Sequence, residues 1–449
     1  MSNYQKKSTH LASKHFYFIQ KILYSGAIAT TVALSLLAPS LSKPAEANLE
    51  NSPKVVLDEA WQIVNRDYVD GSFNHTDWKA TRKSLLEKNY TSQQEAYEAL
   101  KQALEKLDDP YTRFLDPEQF KALTNQTSGE MSGVGMQLKQ EELSKAIIVV
   151  DVVENSPALK GGLLPGDQIK EIDGKSTSGL SVSAAAKLIR GDVGTKVVLR
   201  VLRNGDREFD VTLTRARIEL KAVSYDLKQE GNQHIGYIRL QEFSAHAGEQ
   251  MERAIEDLNN QNPDGYVLDL RGNPGGLLRV SIDIARMWMN KGAIVSTVNR
   301  DGDRQEVRAN RSALTNKPTV VLVDGDSASA SEILAGALKD NGRAKVIGDQ
   351  TFGKALVQSV HSLSDGSGLA VTIAHYYTPK GTDISKKGVT PDVVINLTDS
   401  QKRRLYRRPE AIATNSDPYY ARAINLLKNK ILLRPLAVSY THLRAHETS

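Results

Sequence analysis

The chain has no cysteine. This excludes disulfides, thiolate catalysis and Cys-ligated zinc, and leaves an oxygen or an amine as the nucleophile of any covalent chemistry. Gly-x-Ser-x-Gly and His-Glu-x-x-His are also missing, and the one Ser-x-x-Lys lies near the amino terminus at Ser40 to Lys43. The familiar hydrolase templates therefore do not fit. Long apolar runs are scarce: the stretch Gly26 to Ala38 falls short of the roughly 20 residues that span a bilayer.

What is present has an ordinary globular balance. The 449 residues, 40% hydrophobic and 25% charged, suffice for two or three domains with packed cores. In the first 47 residues Lys6, Lys7, Lys14, Lys21 and Lys43 stand against the single acid Glu46, and Ala45-Glu46-Ala47 supplies a small-x-small pattern. Residues 1–47 read as an export signal, with the mature chain starting near Asn48; an uncleaved anchor is the rival reading. Most of the +5 formal charge belongs to this leader, so nucleic-acid binding loses its support. The stretch 435–449 has no apolar periodicity, resembles appended adapter sequence, and is set aside.

Leu57, Trp61, Val64 and Tyr68 recur at helical spacing, as do Tyr97, Leu100, Leu104 and Leu107 after the capping-box pattern Ser92-Gln93-Gln94-Glu95. Residues 48–128 are thus expected to be mainly helical. From 129 to 215 the pattern turns to strands: a β-branched run Ile147 to Val153, then Val197 to Leu202 returning through Asn204-Gly205 into Phe209 to Leu213, with one helix from about Ser181 to Arg190. Residues 216–398 alternate strands and helices, which predicts an α/β core with ligands at the strand ends. Residues 399–434 form a helical ending rich in Arg and Lys, expected to be a cap or partner surface.

The chemically informative stretch is Val323 to Leu334, where Asp324-Gly325-Asp326-Ser327-Ala328-Ser329-Ala330-Ser331-Glu332 joins a buried strand to a helix. A hydroxyl at a helix start sits where the macrodipole and unpaired amides favour developing negative charge. In isolation these residues also fit a plain cap and turn. A serine nucleophile needs a base, yet His234, His246, His361 and His375 lie in strand or helix contexts without a glycine elbow. Lysine serves instead if apolar surroundings depress its pKa. Thr351-Phe352-Gly353-Lys354-Ala355-Leu356-Val357-Gln358 offers one cation among apolar neighbours with an amide to orient it; an exposed strand lysine is the alternative.

The Ser-Ala-Ser-Ala-Ser-Glu-Ile turn, with Gly353-Lys354 and Gln358, resembles the carboxyl-terminal processing peptidases, also called tail-specific proteases. In that family the nucleophile is the middle serine, the lysine lies 25 positions on and the glutamine four beyond, which is the spacing of Ser329, Lys354 and Gln358. Leu107 to Leu115, Gly133-Val134-Gly135-Met136, Asp269 to Gly276 and Gly388 to Val393 read as further landmarks in the expected order, so the resemblance covers nearly all of the mature chain. One departure is Ala355, where the family usually has glycine. If that position requires φ > 0, the methyl adds strain beside the base.

The resemblance implies a multidomain α/β fold: a ClpP/crotonase-like core, an inserted, circularly permuted PDZ domain at 129–215 and the helical amino-terminal segment. It implies Ser329 as nucleophile, Lys354 as base, Gln358 orienting Lys354, and the amides of Gly275 and Ala330 as the oxyanion hole, with no metal or organic cofactor. The strand edge after Gly133, Val134, Gly135 and Met136 suits an extended peptide whose terminal carboxylate meets the loop amides. The expected partners are protein substrates with free apolar carboxyl termini. The expected site is the periplasm or thylakoid lumen, with peripheral membrane association and a homo-oligomer left open. A catalytically impaired PDZ scaffold, permitted by Ala355, is one rival. A hydrolase using Asp326 and Glu332 is another.

Overall fold

In the computed structural model, which describes residues 52–432, the chain forms two compact units. The expected leader and the stretch 435–449 lie outside the described residues. One unit comprises the chain up to Phe120, Val223–Phe243 and everything from Ala247 onward; the other is Lys121–Ala222 with Ser244–His246. Among the described residues no helix is long and apolar enough to cross a membrane.

The larger unit is built on a six-stranded sheet in the order Val223–Glu230, Gln233–Leu240, Gly265–Asp269, Thr319–Val323, Ala344–Gly348, Val393–Val394. Its first pair is antiparallel and all later pairs are parallel. Thr319–Val323 is buried at every position, as a strand covered on both faces must be. Helices Ala247–Asn260, Leu278–Trp288 and Ala330–Asp340 follow successive strands, as the alternation of the sequence predicts. Because Gly265–Asp269 and Thr319–Val323 are parallel neighbours, with Asp269 opposite Leu322, the loops leaving their carboxyl ends emerge side by side. That is where this topology places a site.

Two features differ from the sequence reading. Within the alternating region a second, antiparallel sheet runs Arg113–Leu115, Gly368–Tyr377, Ala293–Asn299, Arg304–Arg308, with Leu356–Ser362 on the other flank of Gly368–Tyr377. The helical amino-terminal region thereby contributes a strand to the core. Secondly, the helix Pro418–Leu432 is a wall of the core: Tyr419, Tyr420, Ala423, Ile424 and Leu427 pack on Ile235, Tyr237, Val267, Val320, Leu322 and Ile347. At roughly 1.5–3 kcal/mol per fully buried large apolar side chain, such a helix is structural.

The amino-terminal helices Pro53–Asp67, Trp78–Glu87 and Gln93–Glu105 bury one face around Leu57, Trp61, Leu100 and Leu104. Ser92 caps the third by accepting the Glu95 amide, while Glu95 reaches back one residue further than the capping box predicts, to the Thr91 amide. In the smaller unit the hairpin Lys196–Arg203 and Arg207–Thr214 turns at Asn204 and Gly205, with φ of 55° and 83°. These are the left-handed conformations that make Asn-Gly a hairpin signal.

Candidate active site

The turn after Thr319–Val323 is shaped by buried polar groups. Asp324 Oδ1 accepts the amides of Gly272, Asp326 and Ser327 at 2.9, 3.1 and 3.1 Å. Ser327 Oγ donates to the Leu270 carbonyl at 2.8 Å, and Ser331 Oγ donates to the Asn273 carbonyl at 2.9 Å. The two strand-end loops are thus stitched together, with Ser327 and Ser331 fully buried as stitches. Ser329 stands between them at the start of the helix Ala330–Asp340, with φ 53° and ψ −112°. A left-handed φ at a non-glycine residue stores about 1–3 kcal/mol and persists only where its surroundings impose it.

Glu332 imposes it. This carboxylate is fully buried and takes four hydrogen bonds: the Ser329 amide at 2.8 Å and the Lys354 amide at 2.9 Å on Oε2, the Gly353 amide at 2.7 Å and the Thr351 hydroxyl at 2.5 Å on Oε1. Burial pushes its pKa up, and the four donors counter part of that rise. With every lone-pair direction occupied while Asp326 lies exposed at the surface, the two do not form a working carboxylate pair. Glu332 instead joins the serine turn to the lysine turn. The Tyr376 hydroxyl repeats the link by donating to the Ser329 carbonyl at 3.1 Å and to the Lys354 carbonyl.

Gly275 lies against the same turn. A β-carbon built on it would meet the Ala328 carbonyl at 2.8 Å, Ser329 Cβ at 2.9 Å and the Ala330 nitrogen at 3.0 Å, and its φ is 103°. Only glycine fits there. Its N–H donates to Asn273 Oδ1 at 2.9 Å, whereas the Ala330 amide donates to no group among the described residues. Ala330 therefore presents a free helix-terminal donor, and Gly275 presents one engaged by a buried side chain.

Lys354 is half-buried. Desolvation, with the Arg113 charge next, lowers its pKa below the usual lysine value, against the opposing pull of Asp109 and Glu332. Its Nζ lies 4.5 Å from the centroid of the Tyr111 ring, and no hydrogen bond joins it to Ser329. Gln358 sits at a bulge in Leu356–Ser362, its side-chain nitrogen buried without a partner. The structure therefore brings the backbones of Ser329 and Lys354 together while leaving their reacting atoms and Gln358 unjoined. Ala355 is buried, lies outside the positive-φ region and has its carbonyl bonded by the Tyr376 amide. The strain expected from replacing glycine is absent, and with it the basis of the impaired-scaffold reading. Of the four histidines, none bonds to Ser329; His246 pairs with Glu130 and His361 lies 3.6 Å from Asp67.

In the smaller unit Met136–Gln140 is the edge strand of a sheet continuing through Ile147–Val152, Gln168–Ile172, Lys196–Arg203 and Arg207–Thr214. The helix Val182–Ile189 packs beside that edge, and Met136, Leu138 and Val182 are half-buried against the unit's core. The carbonyls of Val134 and Gly135 are taken by the amides of Ala158 and Val153, at 2.8 and 2.9 Å, while the amides of Val134 and Gly135 make no hydrogen bond to any described residue. Gly135 has φ 80°.

This geometry has relatives. The chain is 42% identical over 410 residues to a carboxyl-terminal-processing protease of Synechocystis, covering 90% of this chain and 94% of that one. It belongs to the carboxyl-terminal-processing proteases. Residues 234–395 match peptidase family S41 and residues 148–203 match the PDZ domain. A chloroplastic carboxyl-terminal-processing peptidase of Arabidopsis thaliana is 41% identical over 346 residues, covering 74% of this chain and 67% of that one. A solved photosystem II D1 C-terminal processing protease is 36% identical, with TM-score 0.47, covering 77% of this chain and 93% of that one. As a member of this family the protein is a serine-type peptidase that processes carboxyl termini, with the mixed α/β fold and PDZ domain expected from its sequence.

Sequence reasoning assigned no role to Tyr111, Tyr376, Thr351 or Asn273. Tyr111 lies in a landmark stretch of the family with no chemical signal of its own, and Tyr376 lies in a strand with no distinguishing local signal.

Proposed function

We propose that Ser329 is the nucleophile and Lys354 the general base of this processing protease. The observation that supports it is the Glu332 clamp, which fixes a strained serine at a helix start beside a half-buried lysine of lowered pKa. Neutral Lys354 takes the Ser329 proton as Oγ attacks the scissile carbonyl. The oxyanion forms at the helix terminus against the Ala330 amide, joined by the Gly275 amide once its bond to Asn273 is exchanged. Protonated Lys354 then gives its proton to the leaving amine, and water resolves the acyl-enzyme by the same path. Gln358 orients the amine when Lys354 turns towards Ser329.

The smaller unit selects substrates. An extended carboxyl terminus adds to the edge strand Met136–Gln140, its carboxylate meets the amides of Val134 and Gly135, and an apolar last side chain enters beside Met136, Leu138 and Val182. The protein acts after export, in a periplasm or thylakoid lumen.

The test combines labelling with turnover. A serine-directed fluorophosphonate is expected to label Ser329 alone, Ser329→Ala to abolish hydrolysis, and Lys354→Arg to be nearly as damaging as Lys354→Ala, because guanidinium stays protonated. Near-native turnover by Lys354→Arg removes the Ser/Lys mechanism. Equal cleavage of one unfolded substrate with a free apolar end, an amidated end and an Asp end removes the selection role of the smaller unit.

A further inference from the structure

The side chain of Lys354 ends on an aromatic face. Its Nζ stands 4.5 Å from the Tyr111 ring centroid, within the range of a cation–π contact. Both sides of this contact are mounted rigidly. Asp109 accepts the Tyr111 amide at 3.0 Å and the Thr112 hydroxyl at 2.7 Å, Thr112 Oγ1 accepts the Thr372 amide at 3.0 Å, and the next residues enter the sheet opposite Gly368–Ala370. On the other side Glu332 holds the Lys354 amide and Tyr376 holds its carbonyl. With backbone fixed at both ends, rotation of the lysine side chain decides where the amine lies.

The ring face attracts an ammonium through its quadrupole and offers a neutral amine little. The other charges that act on the Lys354 amine are Arg113, which repels the ammonium, and Asp109 and Glu332, which favour it; the Tyr376 hydroxyl is occupied by carbonyls. Tyr111 therefore opposes Arg113 at the amine, although the two are separated by a single residue of one segment.

We propose that Tyr111 is a positioning residue of the dyad: its ring holds Lys354 as the ammonium, turned off Ser329, and releases it when the proton is lost. The amino-terminal segment then sets the pH at which the base becomes available. This rests on Lys354 acting as the base.

The experiment uses the full-length enzyme and two readouts. The first is the acid limb of kcat/KM against pH. The second is the titration of the Lys354 amine itself, followed in a Ser329→Ala background by the pH dependence of its acetylation and read by mass spectrometry. Tyr111→Leu keeps an apolar neighbour and removes the quadrupole, so both readouts are expected to move to lower pH by about half a unit or more. Tyr111→Phe keeps the ring face and is expected to stay within about 0.2 units of the native enzyme. Arg113→Gln removes a like charge and is expected to move both readouts upward. A general loosening of the fold does not produce opposite shifts from neighbouring substitutions. A Lys354 titration unmoved by Tyr111→Leu, or moved equally by Tyr111→Phe, overturns the proposal. A shifted amine titration with an unshifted rate profile supports the hold on Lys354 and overturns its role as base.

Discussion

The Arg271 guanidinium grips the Asp417 carboxylate through two nitrogens, at 3.0 and 2.8 Å, with both side chains almost wholly buried. Asp417 also accepts the Tyr419 amide at 3.0 Å as the cap of the last helix, and Arg271 holds Asp269 on its other side. The helix that walls the sheet is thereby fastened to the loop that carries Gly275. With Asp417 removed, Arg271 keeps its pair with Asp269, so the loss is that of the charge-assisted hydrogen bonds and of the helix cap, about 2–4 kcal/mol. Asp417→Ala is expected to lower the unfolding free energy obtained from urea titration by that order and to reduce turnover, whereas Asp417→Asn keeps a capping oxygen and is expected to lose less.

The same cluster gives a pH dependence. Complete burial would raise the Asp269 pKa, but the Arg271 charge and hydrogen bonds overcome it and hold the carboxyl below its ordinary value. A depressed folded-state pKa contributes stability that is present above the unfolded value of about 3.9 and lost as pH falls through the folded one. Acid unfolding followed by circular dichroism is expected to show this loss below about pH 4, and Asp269→Asn, already destabilised at pH 7, is expected to lack that component.

Glu332→Gln keeps the size of the side chain but replaces one acceptor oxygen by a donor. At least one of the amides of Ser329, Gly353 and Lys354 then faces an NH2 group, at about 1–3 kcal/mol for each buried group left unpaired. The variant is expected to fold, to lose roughly 100-fold in kcat and to change KM little, since the loss falls on the geometry of the dyad. A native kcat for this variant would show that the clamp is dispensable.

The three serines of the turn are expected to separate by readout. Ser329→Ala removes hydrolysis and, by relieving no buried bond, leaves thermal stability close to native. Ser327→Ala and Ser331→Ala each delete a buried hydrogen bond to a loop carbonyl and are expected to lower stability by about 1–3 kcal/mol while retaining chemistry. Active-site labelling beside thermal melting checks all three.

For the peptide groove, a charge placed at Gly135 is a poor probe. A β-carbon there would stand 2.3 Å from Ser156 Cβ at a φ of 80°, whereas one at Gly133 has no atom within 4 Å. Gly135→Asp is expected to unfold the smaller unit. Gly133→Asp is expected to leave it folded and, by repelling the terminal carboxylate, to raise KM about tenfold for a substrate with a free apolar end. An amidated substrate is expected to show no such penalty.

What the sequence determined by itself was the local code: the alternation of strand and helix, the Asn204-Gly205 hairpin, the small-residue turn around Ser329, and a motif order specific enough to name the family. These are encoded over a few residues, by periodicity and turn chemistry. The tertiary structure decided which distant groups meet. It turned Glu332 from a possible acid into a clamp, left Ala355 unstrained, gave the Gly275 amide to Asn273, and laid Lys354 on Tyr111, a residue far away in the chain. Side-chain contacts across a core depend on how sheets stack and where a lone strand such as Arg113–Leu115 inserts, and no short-range pattern carries that information.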